Sequence, residues 1–338
     1  MKKDLSLLIV VLLLMLAIAL TSCEIFEGKT TTTTDQGSVE HKHSFSGWII
    51  LEEATKTEDG LEERYCECGE VEKKRIPYIG SEGLEYKFNS DRQSYSVVGG
   101  GTCKDLDIII PDTYFGLPVT SIADEAFDFR ISITSVVIPN SVTSIGSCAF
   151  AECNSLTSVV IPDSVISIGD DILYGCDSLT SIEVDKNNEY YCSIDGNLYN
   201  KDATTLIKYA IGKTDTSFTI PDSVTNIGDW AFMFSSLTSI VIPDSVTSIG
   251  YSAFSHCLSL ASIEIPDSVT GIGWYAFYNC TSLTSIVIPD SVMSIGSKAF
   301  WNCSHKLTIY CETESKPYRW NDDWNPNNRT VVWGYKGE

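Results

Sequence analysis

Residues 237–260 read LTSIVIPDSVTSIGYSAFSHCLSL. Apolar side chains fall at Leu237, Ile240 and Ile242. Alternate residues of a strand share a face, so Ile240 and Ile242 point inward while Ser239 and Val241 point out. Pro243 has no N–H to donate and ends the ladder. Asp244-Ser245 suits an Asx-type turn. Val246 and Ile249 bring the chain back to the core, and Ala253-Phe254 adds a small-plus-large pair on the opposite wall. One such coil cannot bury these groups alone, but stacked copies can.

The copies are present. Pro139, Pro162, Pro221, Pro243, Pro266 and Pro289 stand in equivalent places, at intervals of 23, 59, 22, 23 and 23 residues. A period of this size marks a solenoid or array. Leu156-Thr157-Ser158-Val159-Val160-Ile161 repeats the strand, as do Leu260, Ile263 and Ile265, then Leu283, Ile286 and Ile288. Seven Ala-Phe equivalents run from Ala126-Phe127 to Ala299-Phe300, the third being Ile172-Leu173. The expected fold is a repeat solenoid, mainly β with short helical or 3-10 turns, of about seven coils of ~23 residues, roughly 30–35 Å long at the usual strand spacing. The whole unit resembles the BspA-like leucine-rich-repeat surface proteins, over about residues 85–338. The resemblance implies a curved solenoid on a bacterial cell surface and adhesion to host matrix proteins or other cells, with no catalytic residues to carry over.

The array has departures. The 59-residue interval holds an insertion near 187–213, with Asp195-Gly196 as a hairpin turn and a further strand near Thr205 to Tyr209. We expect a small meander beside the stack, either a binding edge or a tolerated insertion. The unit around Met233-Phe234-Ser235 is one residue short and lacks the cysteine. Solenoid ends need covers. Residues 81–115 form the expected N-terminal cap, 116–310 the repeats and 311–338 a Trp-rich C-terminal cap. Trp320, Trp324 and Trp333 either cover the last coil or present a carbohydrate-binding surface.

Upstream, Lys2 and Lys3 precede an apolar run from Leu7 to Leu20, too short to span a bilayer, and the run ends at Leu20-Thr21-Ser22-Cys23. This resembles a bacterial lipobox, implying a signal peptide over 1–22, acylation of Cys23 and a lipid anchor in the membrane. The alternative is an ordinary signal peptide beside a cysteine. Loss of Lys2, Lys3 and Asp4 with the signal would take the charge from −22 to −23. The Thr-rich segment 23–40 reads as a tether. Residues 41–80 read as a small β module. Its His41, His43, Cys66 and Cys68 pair up at i,i+2 spacing, which allows a tetrahedral structural zinc site. The alternative is a module with solvated histidines and thiols. No other cofactor is expected.

Within the repeats, Cys153, Cys176, Cys257, Cys280 and Cys303 each follow a repeat proline position by 14 residues, as buried small hydrophobes or as disulfide partners. Asp163, Asp222, Asp244, Asp267 and Asp290 make a second row, as turn caps or as calcium ligands. The outward strand positions are the expected binding face: Ser135 and Val137, Ser158 and Val160, Ser181 and Glu183, Ser239 and Val241, Ser262 and Glu264, Ser285 and Val287. That face is small and mild, without the aromatic and arginine anchors of tight recognition, so broad or multivalent binding is expected. The net charge of −22 disfavours nucleic acid as a partner. No metalloprotease helix, nucleophile elbow or phosphate loop occurs, so no enzyme is expected. Two functions remain: adhesion through the solenoid to a macromolecular partner, or a display stalk presenting the His/Cys module.

Overall fold

The computed structural model describes residues 44–56 and 58–337. Cys23, His41 and His43 lie outside the described residues. Two compact units are present. One joins the described residues up to Ser46 with Cys66–Glu70. In it Phe45 bridges Cys66, and the Cys66 carbonyl accepts the Gly69 N–H to close a turn. The other unit joins Gly47–Tyr65 with the chain from Val71 onward. It opens with an antiparallel sheet of Ile49–Glu52, Gly60–Tyr65 and Val71–Ile76. The rest is the solenoid.

Each coil contributes to two parallel ladders. The first is built from the Leu-x-x-Ile-x-Ile strands. It has four strands from Asp107–Ile109 to Ser181–Val184, then six from Ser217–Thr219 to Thr330–Trp333. The second uses the two-residue Ser-Ile strands, such as Ser144–Ile145 and Ser248–Ile249. Register is residue for residue, as in Ser239 against Ser262 and Ile240 against Ile263. The first ladder holds four strands and six, so the stack has ten turns rather than about seven. The Ala-Phe signature misses turns whose wall is filled by another ring: Tyr209 lies 5.3 Å from Phe232 and Trp324 lies 5.7 Å from Phe300.

The unit's polar residues have coil-to-coil partners. The Thr157, Thr180, Thr247 and Thr270 hydroxyls donate to the threonine carbonyl of the preceding coil at 3.1–3.3 Å. Serine, rather than the aspartate before it, bonds across the turn: Ser164, Ser245, Ser268 and Ser291 donate to a valine carbonyl one coil back at 2.7–2.9 Å. Glycine closes the second strand because a Cβ on Gly273 would sit 2.4 Å from the Gly250 carbonyl oxygen. The core phenylalanines stack 5.2–5.4 Å apart and within 11° of parallel.

Among the described residues there is no helix, so the expected helical turns are absent. The reason lies in the backbone around Ala-Phe. The residue before Ala and the second residue after Phe are both left-handed, with φ between 51° and 66°. The pairs are Glu125/Phe129, Cys148/Glu152, Asp171/Gly175, Trp230/Phe234, Ser252/His256, Tyr275/Asn279 and Lys298/Asn302. Left-handed residues interrupt a right-handed helix every few positions. None of these slots holds Val, Ile or Thr, although those residues dominate the strands; a β-branched side chain is strained at such φ. Cys148→Val is therefore expected to lower stability by about 1–2 kcal/mol, while Cys148→Gly holds or raises it. Denaturant midpoints of the two variants check this; equal midpoints would refute it.

The insertion is spliced into the stack rather than packed beside it. Tyr191–Ile194, Asn197–Asn200 and Thr205–Lys208 form an antiparallel meander, and Thr205–Lys208 continues as the first parallel strand of the following second ladder. Leu198 belongs to the core before the splice, whereas Tyr199, Leu206 and Tyr209 belong to the core after it. The buried Asn188 donates to the Pro162 and Val165 carbonyls and accepts the Tyr190 and Tyr191 N–H groups, so it extends the serine row. Lys208 is buried here, 3.9 Å from Asp171, and also donates to the Trp230 carbonyl. Burial raises the Asp171 carboxyl to about 6 and lowers the Lys208 ammonium.

Candidate functional site

The strand face is laid out as the alternation requires. Val136, Val159, Ile182, Ile240, Ile263 and Ile286 are buried. Val137, Val160, Glu183, Val241, Ser262, Glu264 and Ser285 are exposed, and Ser135, Ser158, Ser181, Ser239 and Val287 are half-buried. The face stays small and lacks an aromatic anchor over these positions.

The aromatic side chains lie on another wall. The left-handed slots beside Ala-Phe, and the residues next to them, project from the turn segment. In the later coils they carry rings. Trp230 lies 5.1 Å from Tyr251, and Tyr251 lies 5.8 Å from Tyr275. A parallel row runs Tyr174, Phe234, His256, Tyr278 and Trp301, at successive separations of 5.2, 5.0, 4.8 and 5.4 Å. Tyr275 joins the rows through Tyr278 at 5.9 Å. Trp274 is 56% exposed, Tyr251 37% and Trp301 36%. The Lys298 ammonium sits 4.7 Å from the Trp301 ring centre and 5.7 Å from that of Tyr275. Burial keeps the His256 imidazole below its usual range, and its Nδ1 pairs with the Ser255 hydroxyl at 2.9 Å.

The fold does not require these rings. Glutamate, cysteine, serine and lysine fill the same left-handed slots at Glu125, Cys148, Ser252 and Lys298. In the earlier coils the same flank is mostly acidic: Asp124, Glu125, Asp128, Glu152 and Asp170 occupy the slots or adjoin them, with the exposed ring of Phe129 among them. The balance on the flank thus shifts from mostly carboxylates to mostly rings along the stack, with Phe129 early and Asp229 and Lys298 late as exceptions. Sequence reasoning missed it because these positions vary from copy to copy and look like filler between conserved letters. The signal was that variation, confined to a few positions per unit.

The cysteine row is neither a disulfide ladder nor a purely apolar one. Cys153, Cys176, Cys257, Cys280 and Cys303 each direct the thiol at the phenylalanine carbonyl of the preceding coil, at 3.0–3.3 Å. Burial pushes the thiols of Cys153, Cys176, Cys257 and Cys303 up to about 12, so they stay protonated and inert. Ser235, buried, takes the same place in the short unit. In the first unit the Cys68 thiol pairs with that of Cys66, which raises it above its usual range. Among the described residues, no three His, Cys, Asp or Glu side chains converge on a metal site.

This architecture is a leucine-rich-repeat solenoid of the surface type, a form consistent with binding rather than catalysis. The chain belongs to the BspA type leucine-rich repeat family, whose model matches six copies over residues 120–202 and 204–316, more than half of the chain. No curated protein matches it. Among solved structures, the pneumococcal vaccine antigen PcpA is 23% identical with a TM-score of 0.54, over 66% of this chain and 62% of PcpA, and it shares the fold. The chain thus spans less than two thirds of that antigen's structure. A leucine-rich repeat protein from Bacteroides ovatus is 26% identical, TM-score 0.48, over 75% of this chain and 70% of its own. One from Eubacterium ventriosum is 22% identical, TM-score 0.46, over 78% and 96%. No helix among the described residues is long and apolar enough to cross a membrane.

Proposed function

We propose that this chain is a non-catalytic bacterial surface lipoprotein, anchored through acylated Cys23, whose solenoid binds a macromolecular partner and mediates adhesion to host matrix or to other cells. The observation that carries the binding role is the wall of rings on a flank whose slots accept almost any unbranched side chain. A contiguous run of half-buried rings edged by the exposed Trp274, Tyr251 and Trp301 is the kind of partly apolar surface that serves as an interaction site. The family supports the surface location, and the lipobox-like Leu20-Thr21-Ser22-Cys23 supports the anchor.

The test is saturable binding of the chain to immobilised fibronectin, fibrinogen, collagen and a glycan set at two salt concentrations. We expect binding to at least one matrix protein, and silence across the panel would defeat adhesion. Release of the protein from membranes by Cys23→Ala tests the anchor separately. The Cys66–Cys68 thiol contact supports a second reading, a zinc-bearing module at 41–80 displayed on a stalk. Stoichiometric zinc lost on Cys66→Ser, together with matrix binding lost on deleting 41–78, would favour it.

A further inference from the structure

We propose that the aromatic flank and the carboxylates of the coils before it dock a basic, lysine- and arginine-rich stretch of a partner polypeptide laid along the stack. This rests on the reading of the chain as a binding protein and names the partner's chemistry. Three observations carry it. First, Trp230 and Tyr275 occupy a left-handed slot that other coils fill with Glu125, Cys148, Ser252 or Lys298, and Phe234 one that others fill with Glu152, Gly175, Asn279 or Asn302, so the rings are not a condition of folding. Second, the wall already holds a cation: the Lys298 ammonium rests over both Trp301 and Tyr275. Ring faces carry negative potential and attract ammonium and guanidinium groups, guanidinium also by stacking. Third, the flank continues into Asp124, Glu125, Asp128, Glu152 and Asp170 in the earlier coils, within a chain of net charge −22. A neutral glycan would use the rings and gain nothing from this acidic continuation. A cationic segment uses both, and the acidic chain speeds its approach.

The test measures binding of a fluorescein-labelled nona-arginine peptide to the full chain in detergent, at low and near-physiological salt. Nona-glutamate and a neutral oligosaccharide are the comparison probes. A chain this acidic attracts any polycation, so the ring variant keeps the charge and the two carboxylate variants remove equal charge from different places. Trp274→Ala/Tyr278→Ala/Trp301→Ala is expected to weaken nona-arginine binding at least tenfold at near-physiological salt. Glu125→Gln/Glu152→Gln/Asp170→Asn is expected to weaken it and flatten its salt dependence. Asp163→Asn/Asp244→Asn/Asp267→Asn removes as many charges from the proline turns and is expected to change binding less than twofold. A cooperative thermal transition well above the assay temperature verifies that the variants fold. Equal binding by the ring variant and the wild type, equal losses from the two charge variants, or preference for the oligosaccharide would each overturn the proposal. If matrix binding survives the ring variant, this proposal falls and adhesion stands. If the wild type binds neither nona-arginine nor the matrix panel, both fall.

Discussion

Leu198→Ala and Tyr199→Ala, one residue apart, are expected to destabilise opposite halves of the molecule. Both side chains are fully buried. On a strand they point to opposite faces, and here each face meets a different core, Leu198 the one before the splice and Tyr199 the one after it. Truncation of a buried large apolar side chain costs about 2–5 kcal/mol, with the cavity included. Neither ladder runs continuously past this point: Ser181–Val184 does not pair with Ser217–Thr219. Scattered polar links replace that pairing: Ile182 N–H to the Gly196 carbonyl, Gly212 N–H to the Leu179 carbonyl, Ile168 N–H to the Tyr191 hydroxyl, the Asn188 amide to the Pro162 and Val165 carbonyls, and Lys208 beside Asp171. In a repeat protein, nearest-neighbour interfaces carry the cooperativity. Weakening this interface should therefore split denaturant unfolding into two transitions. Hydrogen exchange should quicken within residues 107–184 for Leu198→Ala and within 217–311 for Tyr199→Ala. A single transition with uniform acceleration in both variants would show that the splice is no boundary.

The sequence shows the unit plainly because every letter repeats for a reason that acts at each coil. Ile240 and Ile263 repeat because they face one core, and Ser245 and Ser268 repeat because each reaches back to a valine carbonyl. Features that occur once were harder to read. Leu198-Tyr199 is an apolar pair on adjacent positions, which on a strand means burial on both faces; read as such, it would have placed the hairpin inside the stack. The turn containing Tyr209 and Phe218 hid because it fills the Ala-Phe wall with different rings, 5.0 Å apart. The aromatic flank hid for a different reason. Left-handed backbone is usually announced by glycine, but here only Gly175 marks it among fourteen such slots. The fold tolerates the strain so that full side chains can stand there, and those side chains differ from coil to coil where the core residues cannot. The cysteine-to-carbonyl bonds needed the coil-to-coil register, which spacing alone implies but does not orient.

Trp320→Ala is expected to cost about 3–5 kcal/mol and to fray the stack from its last coils inward. Trp320 is 2% exposed. Its indole N–H donates to the Val292 carbonyl at 3.0 Å, and its ring lies 5.0 Å from Trp324 and 5.9 Å from Trp333. Trp324 in turn closes the phenylalanine stack edge-on at Phe300. Truncating Trp320 therefore removes the most deeply buried of the cover's three tryptophans, leaves the Val292 carbonyl without that donor and loosens the ring that seals Phe300. Trp320→Phe keeps most of the packing and loses chiefly the hydrogen bond, so about 1–2 kcal/mol should suffice. The graded pair separates a cap from a carbohydrate site, the other reading of this tryptophan cluster. A sugar platform needs an open ring face, and neither Trp320 nor Trp324 offers one. Thermal and denaturant midpoints should fall in the order wild type, Trp320→Phe, Trp320→Ala, with exchange rising first around Thr308–Cys311 and Ser294–Ile295. An unchanged midpoint for Trp320→Ala, accompanied by loss of glycan binding, would move the cluster from structure to recognition.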